Sequence, residues 1–168
     1  MKQYVGIDIG KEGAIAIIDD VFITYDATPK IGTEIDLRGL SQIINKIGRD
    51  SIVVIEDVHA IFKSSAKSTF EFGRALGIVE GILSAKVIPF IKVAPKTWQK
   101  EMFQGVALMH RPSSTKKTMV TDTKSMALIA AQRLFPNLDF TPTKASKKPH
   151  NGIVDALLMA EYGRRKNA

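Results

Sequence analysis

The chain has 168 residues, no cysteine and a formal net charge of +7. This length predicts one domain over residues 1–168, and the missing cysteine excludes disulfides and thiolate metal sites. No apolar run reaches the roughly 18 residues of a membrane span, and no signal-peptide pattern is present, so we expect an intracellular, cytoplasmic protein.

The positive charge belongs to the second half of the chain. Residues 1–90 hold 10 Lys and Arg against 12 Asp and Glu, whereas residues 91–168 hold 14 against 5. This asymmetry favours a surface that binds a polyanion such as nucleic acid over a merely soluble basic protein.

The first half of the chain predicts strands and one helix. Residues 4–18 form two apolar segments joined by a glycine-rich turn, which is typical of a β-hairpin. A third short strand is expected over residues 21–25. Leucines and isoleucines at helical spacing predict an amphipathic helix over residues 36–47, and the continuous β-branched run of residues 51–58 predicts a strand buried on both faces.

The second half is more helical. A polar loop over residues 59–68 precedes a predicted helix at 69–85. The apolar segment 87–93 contains Pro89, so we expect a strand at a sheet edge or a strand start there. A short helix follows over residues 95–103, beginning at Pro95.

The remainder predicts two helices separated by basic segments. Residues 105–121 show no clear period, and so long an irregular stretch is usually functional or disordered. A helix is expected over 122–135, and a largely buried one over 152–162. Between them, the structureless segment 141–150 contains further lysines.

Three glycines recur at helical spacing within residues 69–85. Gly73, Gly77 and Gly81 fall at i, i+4 and i+8, so one side of the helix lacks side chains although each glycine costs about 1 kcal/mol relative to Ala. We expect another element to approach this row closely. Both the sheet of the same chain and the same helix of a second chain fit that expectation.

Three acidic residues occupy unusual positions. Asp8 lies within an apolar strand, where a carboxylate is costly to bury without a partner. Glu56 ends the buried strand, and Asp155 lies in the predicted first turn of the last helix. Taken singly, Asp8 fits the solvated face of an edge strand, and Asp155 fits an interaction with the helix dipole. Taken together, they are typical of converging metal ligands.

The chemistry of such a cluster depends on its oxygen ligands. Carboxylates without His or Cys pairs suit Mg²⁺ or Mn²⁺ better than Zn²⁺. On a domain with a basic second half, we expect two such ions to promote phosphodiester hydrolysis by activating a water and stabilising the leaving oxygen. No other small-molecule cofactor is expected.

Five segments in order resemble the motifs of RuvC-type Holliday junction resolvases, most closely the shorter RuvC-like enzymes of bacteriophages. The segments are residues 7–10 (IDIG), 55–59 (IEDVH), 72–81 (FGRALGIVEG), 93–100 (VAPKTWQK) and 155–160 (DALLMA). The resemblance implies an α/β, ribonuclease H-like fold with a mixed five-stranded sheet flanked by helices. It also implies a homodimer that cuts four-way DNA junctions, in the host cytoplasm if the chain is of phage origin.

The resemblance carries functional residues onto this sequence. It implies that Asp8, Glu56 and Asp155 are catalytic metal ligands, and that Lys100 and Lys124 lie near the scissile phosphate. Together with the basic segments and the loop after Glu56, it gives the following expected DNA-binding set: His59, Phe62, Lys63, Lys100, Arg111, Lys116, Lys117, Lys124, Lys147 and Lys148.

Two positions depart from the RuvC pattern. RuvC enzymes carry a fourth acid shortly before the last one, where this chain has His150, Asn151 and Gly152. Asn151 is the candidate fourth ligand, through its amide oxygen and without charge, whether it is natural or replaces an Asp. Where cellular RuvC has an aromatic wedge, this chain has His59. Either His59 or Phe62 would then wedge at the crossover of the junction. The alternative is that both are ordinary loop residues.

The leading expectation is a metal-dependent endonuclease that resolves four-way junctions by paired cuts. A nuclease that cleaves several branched structures, including replication forks, is the alternative within the enzyme class. A junction-binding protein with impaired cleavage is the alternative outside it. Actin-like and sugar-kinase ATPases also begin with an Asp-x-Gly strand, but they need a second such domain, for which 168 residues leave no room.

Overall fold

The computed structural model describes residues 2–57, 65–114 and 117–167. Its strands are β1 (Tyr4–Asp8), β2 (Ala14–Ile18), β3 (Ile23–Ala27), β4 (Lys30–Ile31), β5 (Glu34–Ile35), β6 (Ile52–Glu56), β7 (Phe90–Val93), β8 (His110–Pro112) and β9 (Met119–Thr121). Its helices are α1 (Leu37–Ile44), α2 (Ala66–Ala85), α3 (Pro95–Met102), α4 (Thr123–Leu134) and α5 (Asn151–Lys166). No helix in the described residues is both long and apolar enough to cross a membrane.

The main sheet has five strands in the order β3-β2-β1-β6-β7. The β1–β2 and β2–β3 pairs are antiparallel, and the β1–β6 and β6–β7 pairs are parallel. Helices cover both faces of the sheet. Alternate side chains of β1 and β2 point to opposite faces, and on each face they pack against helices in a separate core layer. The predicted mixed five-stranded α/β fold is therefore confirmed.

The two core layers separate the helices into two groups. Val5 and Ile7 of β1 pack in the layer with α1 and α2. Ala14, Ala16 and Val54 pack in the opposite layer, with α3, α4 and α5. Because alternate residues of a strand face the same way, Asp8 and Glu56 lie on the α5 side of the sheet.

Backbone contact holds α5 against the sheet. A Cβ atom added at Gly6 would overlap the backbone of Ala156 and Ala160, and one at Gly152 would overlap that of Glu12 and Gly13. Glycine at positions 6 and 152 therefore allows α5 to lie directly on β1 and on the β1–β2 turn. Asp155 lies between these two contact points along the helix.

Several predicted boundaries shift. Strand β3 begins at Ile23 because the Asp19 carboxylate accepts hydrogen bonds from the amides of Val21 and Phe22, which form a turn. Helix α2 begins at Ala66, three residues earlier than predicted, because Ser65 caps it by accepting from the Ser68 amide. The predicted edge position of the strand after Pro89 is confirmed, since β7 is an edge strand that begins at Phe90.

Two short hairpins were not predicted. The β4–β5 pair occupies a segment that the sequence indicates only as turn-rich. The β8–β9 pair lies within residues 105–121, where the prediction of an irregular stretch is wrong. Each strand of these hairpins spans only two or three residues, too few for a period of two to be recognised.

The glycine row of α2, Gly73, Gly77 and Gly81, faces away from the main sheet. A Cβ atom added at any of the three would meet no heavy atom of residues 2–57, 65–114 and 117–167 within 4 Å. The buried side of α2 is formed instead by Ala75, Val79 and Leu83. Close packing of the row on the chain's own sheet, one of the two alternatives, is therefore wrong.

Candidate metal and DNA-cleavage site

The carboxylate cluster, defined here as Asp8, Glu56 and Asp155, forms at the carboxyl ends of β1 and β6. These strands are parallel neighbours, and their pairing runs to Ile7 opposite Ile55. Asp8 and Glu56 are the next residues on each strand. Helix α5 adds Asp155 from above the same face of the sheet.

Electrostatic coupling unites the cluster. Burial raises the pKa of Asp8 well above its usual value, and repulsion by Asp155 and Glu56 raises it further. Burial and repulsion by Glu56 raise the pKa of Asp155 to about 7. Such like-charge coupling in a partly desolvated site is common where carboxylates serve a cation or a reaction.

Two neighbours moderate this repulsion. The Lys124 ammonium, at the start of α4, lowers the pKa of both Asp8 and Asp155 against the effect of burial. The Trp98 indole nitrogen donates a hydrogen bond of 3.1 Å to Oε1 of Glu56. Burial raises the pKa of Glu56, and this hydrogen bond opposes the rise.

Helix α5 sets the position of Asp155. The helix begins at Asn151, and the His150 ring caps it by accepting at Nδ1 from the Ile153 amide at 3.3 Å. No acid lies in the first turn, so the predicted first-turn position of Asp155 is wrong by about one turn. The helix dipole acts mainly within the first turn, which weakens the purely structural explanation of Asp155.

Asn151 lies four residues before Asp155 on the same helix. Residues spaced i, i+4 share one side of a helix, and Asn151 is exposed at its start. This relationship fits a neutral oxygen ligand beside the cluster. The role of Asn151 remains a prediction.

The oxygen donors of the cluster fit Mg²⁺ or Mn²⁺. Mg²⁺ commonly binds one or two protein carboxylates and keeps several waters, and a cation would offset the repulsion that raises the pKa of Asp8 and Asp155. Across residues 2–57, 65–114 and 117–167, no three Asp, Glu or His side chains close around a point that one ion would occupy. Pairs of carboxylates, completed by water or substrate oxygens, are therefore the better match.

The predicted basic residues that the structure describes are all exposed. Lys100 lies in the last turn of α3, Lys117 precedes β9, and Lys147 and Lys148 precede α5. Arg111 of β8 has its Nε 3.9 Å from an Asp122 carboxylate oxygen. Of the predicted DNA-binding residues, only Lys124 has an electrostatic effect on the cluster within the described chain. His59, Phe62, Lys63 and Lys116 lie outside the described residues.

Sequence reasoning missed Trp98 as a site residue. It belongs to the segment 93–100, yet its apolar character alone predicts core packing. The structure places it in both roles, because it is 1 % exposed and its one polar hydrogen reaches Glu56. A buried Trp needs an acceptor for its N–H, which is the signal that could have drawn attention to it.

The fold has close structural counterparts of low sequence identity. The chain is similar to Thermus thermophilus RuvC, with a TM-score of 0.56 and 15% identity over 97% of this chain and 95% of that chain. The chain is also similar to T. thermophilus RuvC in complex with a Holliday junction substrate, with a TM-score of 0.58 and 13% identity over 99% of this chain and 96% of that chain. The fold is that of RuvC. No family model and no curated protein matches the sequence.

Proposed function

We propose that this protein is a metal-dependent, structure-selective endonuclease that resolves four-way DNA junctions by paired cuts. The observation that carries the proposal is the coupling of Asp8, Glu56 and Asp155 on one face of a RuvC fold, with the Lys124 charge beside them. One protein of the same fold, T. thermophilus RuvC, has been observed in complex with a Holliday junction substrate. The resemblance to phage enzymes would place the reaction in a bacterial cytoplasm.

The carboxylate cluster would hold the divalent ions. When bound, Mg²⁺ or Mn²⁺ ions supply an activated water and charge stabilisation for the leaving 3′ oxygen. Asp8, Glu56 and Asp155 would supply the protein oxygens for these ions, and Asp8 is coupled electrostatically to both other carboxylates. Trp98 orients Glu56 through its hydrogen bond, and Lys124 offers a positive charge to the phosphate undergoing cleavage.

The basic surface would contact the DNA backbone. Its described members belong to α3, β8, α4 and the segments before β9 and α5. Helices α3, α4 and α5 lie on the cluster's side of the sheet, and the remaining segments connect to these helices. Contacts to phosphates give affinity without sequence information and a steep loss of binding as salt rises. We include His59, Phe62, Lys63 and Lys116 in this surface as predictions.

The exposed glycine row of α2 would form the contact between two copies of the chain. Two cuts in one junction require two sites, and a two-fold dimer supplies them in a fixed relation. The row leaves the backbone of α2 accessible, and Phe70 on the same helix is 71% exposed. A second α2 packed there would cover both features.

Asn151 favours one competing proposal, a junction-binding protein with impaired cleavage. A neutral amide one turn before Asp155 binds a cation less strongly than a carboxylate would. This alternative predicts tight junction binding without products in Mg²⁺ or Mn²⁺. Asn151→Asp would then restore cleavage, whereas in an active enzyme the same change would alter mainly the metal requirement.

The decisive experiment uses labelled four-way junctions, replication forks and linear duplexes, each with Mg²⁺, Mn²⁺ or EDTA. We expect symmetric cuts in the junction with either metal and none with EDTA, whereas equal cutting of forks would favour the broader branched-DNA nuclease.

Asp8→Asn, Glu56→Gln and Asp155→Asn should each abolish cleavage and leave junction binding near that of the wild type. Asp20→Asn, at an exposed acid beyond the other end of β2, is the matched control. Near-normal turnover in any cluster variant would remove that residue from the catalytic set.

A further inference from the structure

The β8–β9 hairpin follows α3 and precedes α4 in the chain, and most of its paired residues are exposed. His110 pairs with Thr121, Arg111 with Val120 and Pro112 with Met119. The Ser113 amide donates to the Thr118 carbonyl at 2.9 Å beyond the last pair. An isolated two-stranded hairpin has marginal stability in water, so this one needs support from its base or from a partner.

The base of the hairpin is fixed to the start of α4. The Asp122 amide donates to the Met109 carbonyl at 2.8 Å. The Asp122 carboxylate caps α4 by accepting from the Ser125 amide, and it lies 3.9 Å from the Arg111 guanidinium. Lys124, whose charge acts on the carboxylate cluster, follows two residues later. The hairpin is therefore anchored to the start of α4, the helix that carries Lys124 and that packs in the same core layer as α5.

The two faces of the hairpin differ. Cross-strand partners share a face, so His110, Thr121, Pro112 and Met119 lie on one face, and all four are exposed. Arg111 and the half-buried Val120 form the other face, which the Arg111–Asp122 pair turns toward α4. The outward face thus carries a large apolar side chain, an imidazole and a hydroxyl.

The outward face includes one large apolar side chain. Met119 is 60% exposed, and it belongs to neither core layer. Residues 102–121 contain no Asp or Glu, whereas they contain Arg111, Lys116 and Lys117. An exposed apolar group within an acid-free, basic segment suits nucleic acid, which presents phosphates to the basic residues and base edges with thymine methyl groups to the apolar one.

We propose that this hairpin is a β-ribbon that enters a groove of a junction arm beside the cleaved phosphate and reads base edges there. The inference rests on the proposed function and adds to it the origin of cut-site sequence preference. A two-stranded ribbon fits the major groove, and two-stranded readers of DNA are an established mode of recognition. His110 and Thr121 offer hydrogen bonds to base edges, and Met119 offers an apolar contact, while the basic residues contact phosphates.

A crosslinking experiment tests the contact independently of cleavage. The variant Met119→benzoylphenylalanine carries a photoreactive side chain at position 119. This protein is irradiated in the presence of a labelled four-way junction and, separately, of a linear duplex. Phe22→benzoylphenylalanine is the control, because Phe22 is 66% exposed and lies in the β2–β3 turn, at the end of the sheet away from Asp8. We expect crosslinks to bases near the crossover from position 119 and none from position 22. Intact binding without a crosslink at 119 would overturn the proposal.

The two proposals fail in different ways. Crosslinking from position 119 without junction cleavage would refute the resolvase and leave the ribbon contact standing. Junction cleavage without crosslinking would refute the ribbon contact and leave the resolvase standing. Absence of any DNA binding would refute both.

Sequence preference gives the second readout. On a junction library randomised around the crossover, Met119→Ala and His110→Ala should each relax discrimination at one or two positions by about tenfold, the usual consequence of losing one base contact. Val21→Ala, at another exposed apolar residue, should leave the preference unchanged. An unchanged preference in both hairpin variants would contradict a reading role.

Discussion

The indole N–H of Trp98 donates its hydrogen bond to the carboxylate of Glu56 at 3.1 Å, which joins the largest core residue of α3 to the end of β6. Trp98→Phe should keep the ring in the core and remove this bond. Because the bond opposes the burial that raises the pKa of Glu56, the acid limb of the cleavage-rate profile should move to higher pH.

The control for this variant is Phe103→Leu. The Phe103 ring packs edge-to-face on Trp98 with 6.1 Å between centroids, so the change perturbs packing without touching Glu56. It should lower stability by about 1 kcal/mol and leave the pH profile in place. An equal shift in both variants would assign the effect to packing alone.

Asp155 should make the metal-free protein less stable as pH rises. Its pKa is about 7 in the folded chain against the usual 3.8, so the folded state holds the proton more tightly. The free energy of unfolding should therefore fall between about pH 4 and pH 7 and then remain level. Asp155→Asn should melt several degrees higher than the wild type at pH 8 and at nearly the same temperature at pH 4.

Thermal melts with and without Mg²⁺ check this relation. Mg²⁺ should stabilise the wild type more at pH 8 than at pH 5, because protons compete with the metal for the carboxylates. The same addition should have less effect on Asp155→Asn. If the variant melted lower than the wild type at pH 8 without metal, Asp155 would instead be a stabilising structural residue.

Lys124 should affect the rate of cleavage more than the affinity for DNA. Lys124→Ala removes the charge that lowers the pKa of Asp8 and Asp155, and under the proposed function it also removes one of the positive charges that would face the cleaved phosphate. We expect single-turnover cleavage to fall about 10²-fold. Lys124→Arg should retain part of the rate.

The comparison for Lys124 is Lys96→Ala, which removes an exposed lysine of α3. It should weaken binding slightly and leave the rate on saturated DNA unchanged. Equal losses in the two alanine variants would reduce Lys124 to a general contributor of positive charge.

Gly77→Leu tests the proposed dimer contact, and it should give a folded monomer. A Cβ atom added at position 77 meets no heavy atom of the described residues within 4 Å, and replacing Gly within a helix contributes about 1 kcal/mol of helix propensity. Sedimentation should report a folded monomer that binds metal and makes single nicks instead of paired cuts. Gly77→Ala, which adds only a methyl group, should remain dimeric. A folded Gly77→Leu dimer would exclude this side of α2 as the interface.

Much of the fold was predictable from local sequence patterns. The β1–β2 hairpin and the main helices follow from the spacing of apolar residues, and the buried β6 follows from a continuous β-branched run. Asp8 and Glu56 were recognisable because carboxylates interrupt or end such segments. The Trp98–Glu56 contact was not predictable in this way, because its partners are 42 residues apart and meet only through packing. The outward direction of the glycine row also depends on how α2 docks, which periodicity does not specify.

The backbone contact of α5 with Gly6 has a consequence for how the protein is made. The helix that delivers Asp155 also fills the core layer over β1 and β2, so its docking completes that layer and the carboxylate cluster in one step. A chain still emerging from the ribosome has synthesised Asp8 and Glu56 but not yet α5. Such a chain lacks the complete carboxylate cluster, so under the proposed function incompletely synthesised copies would not cut the DNA around them.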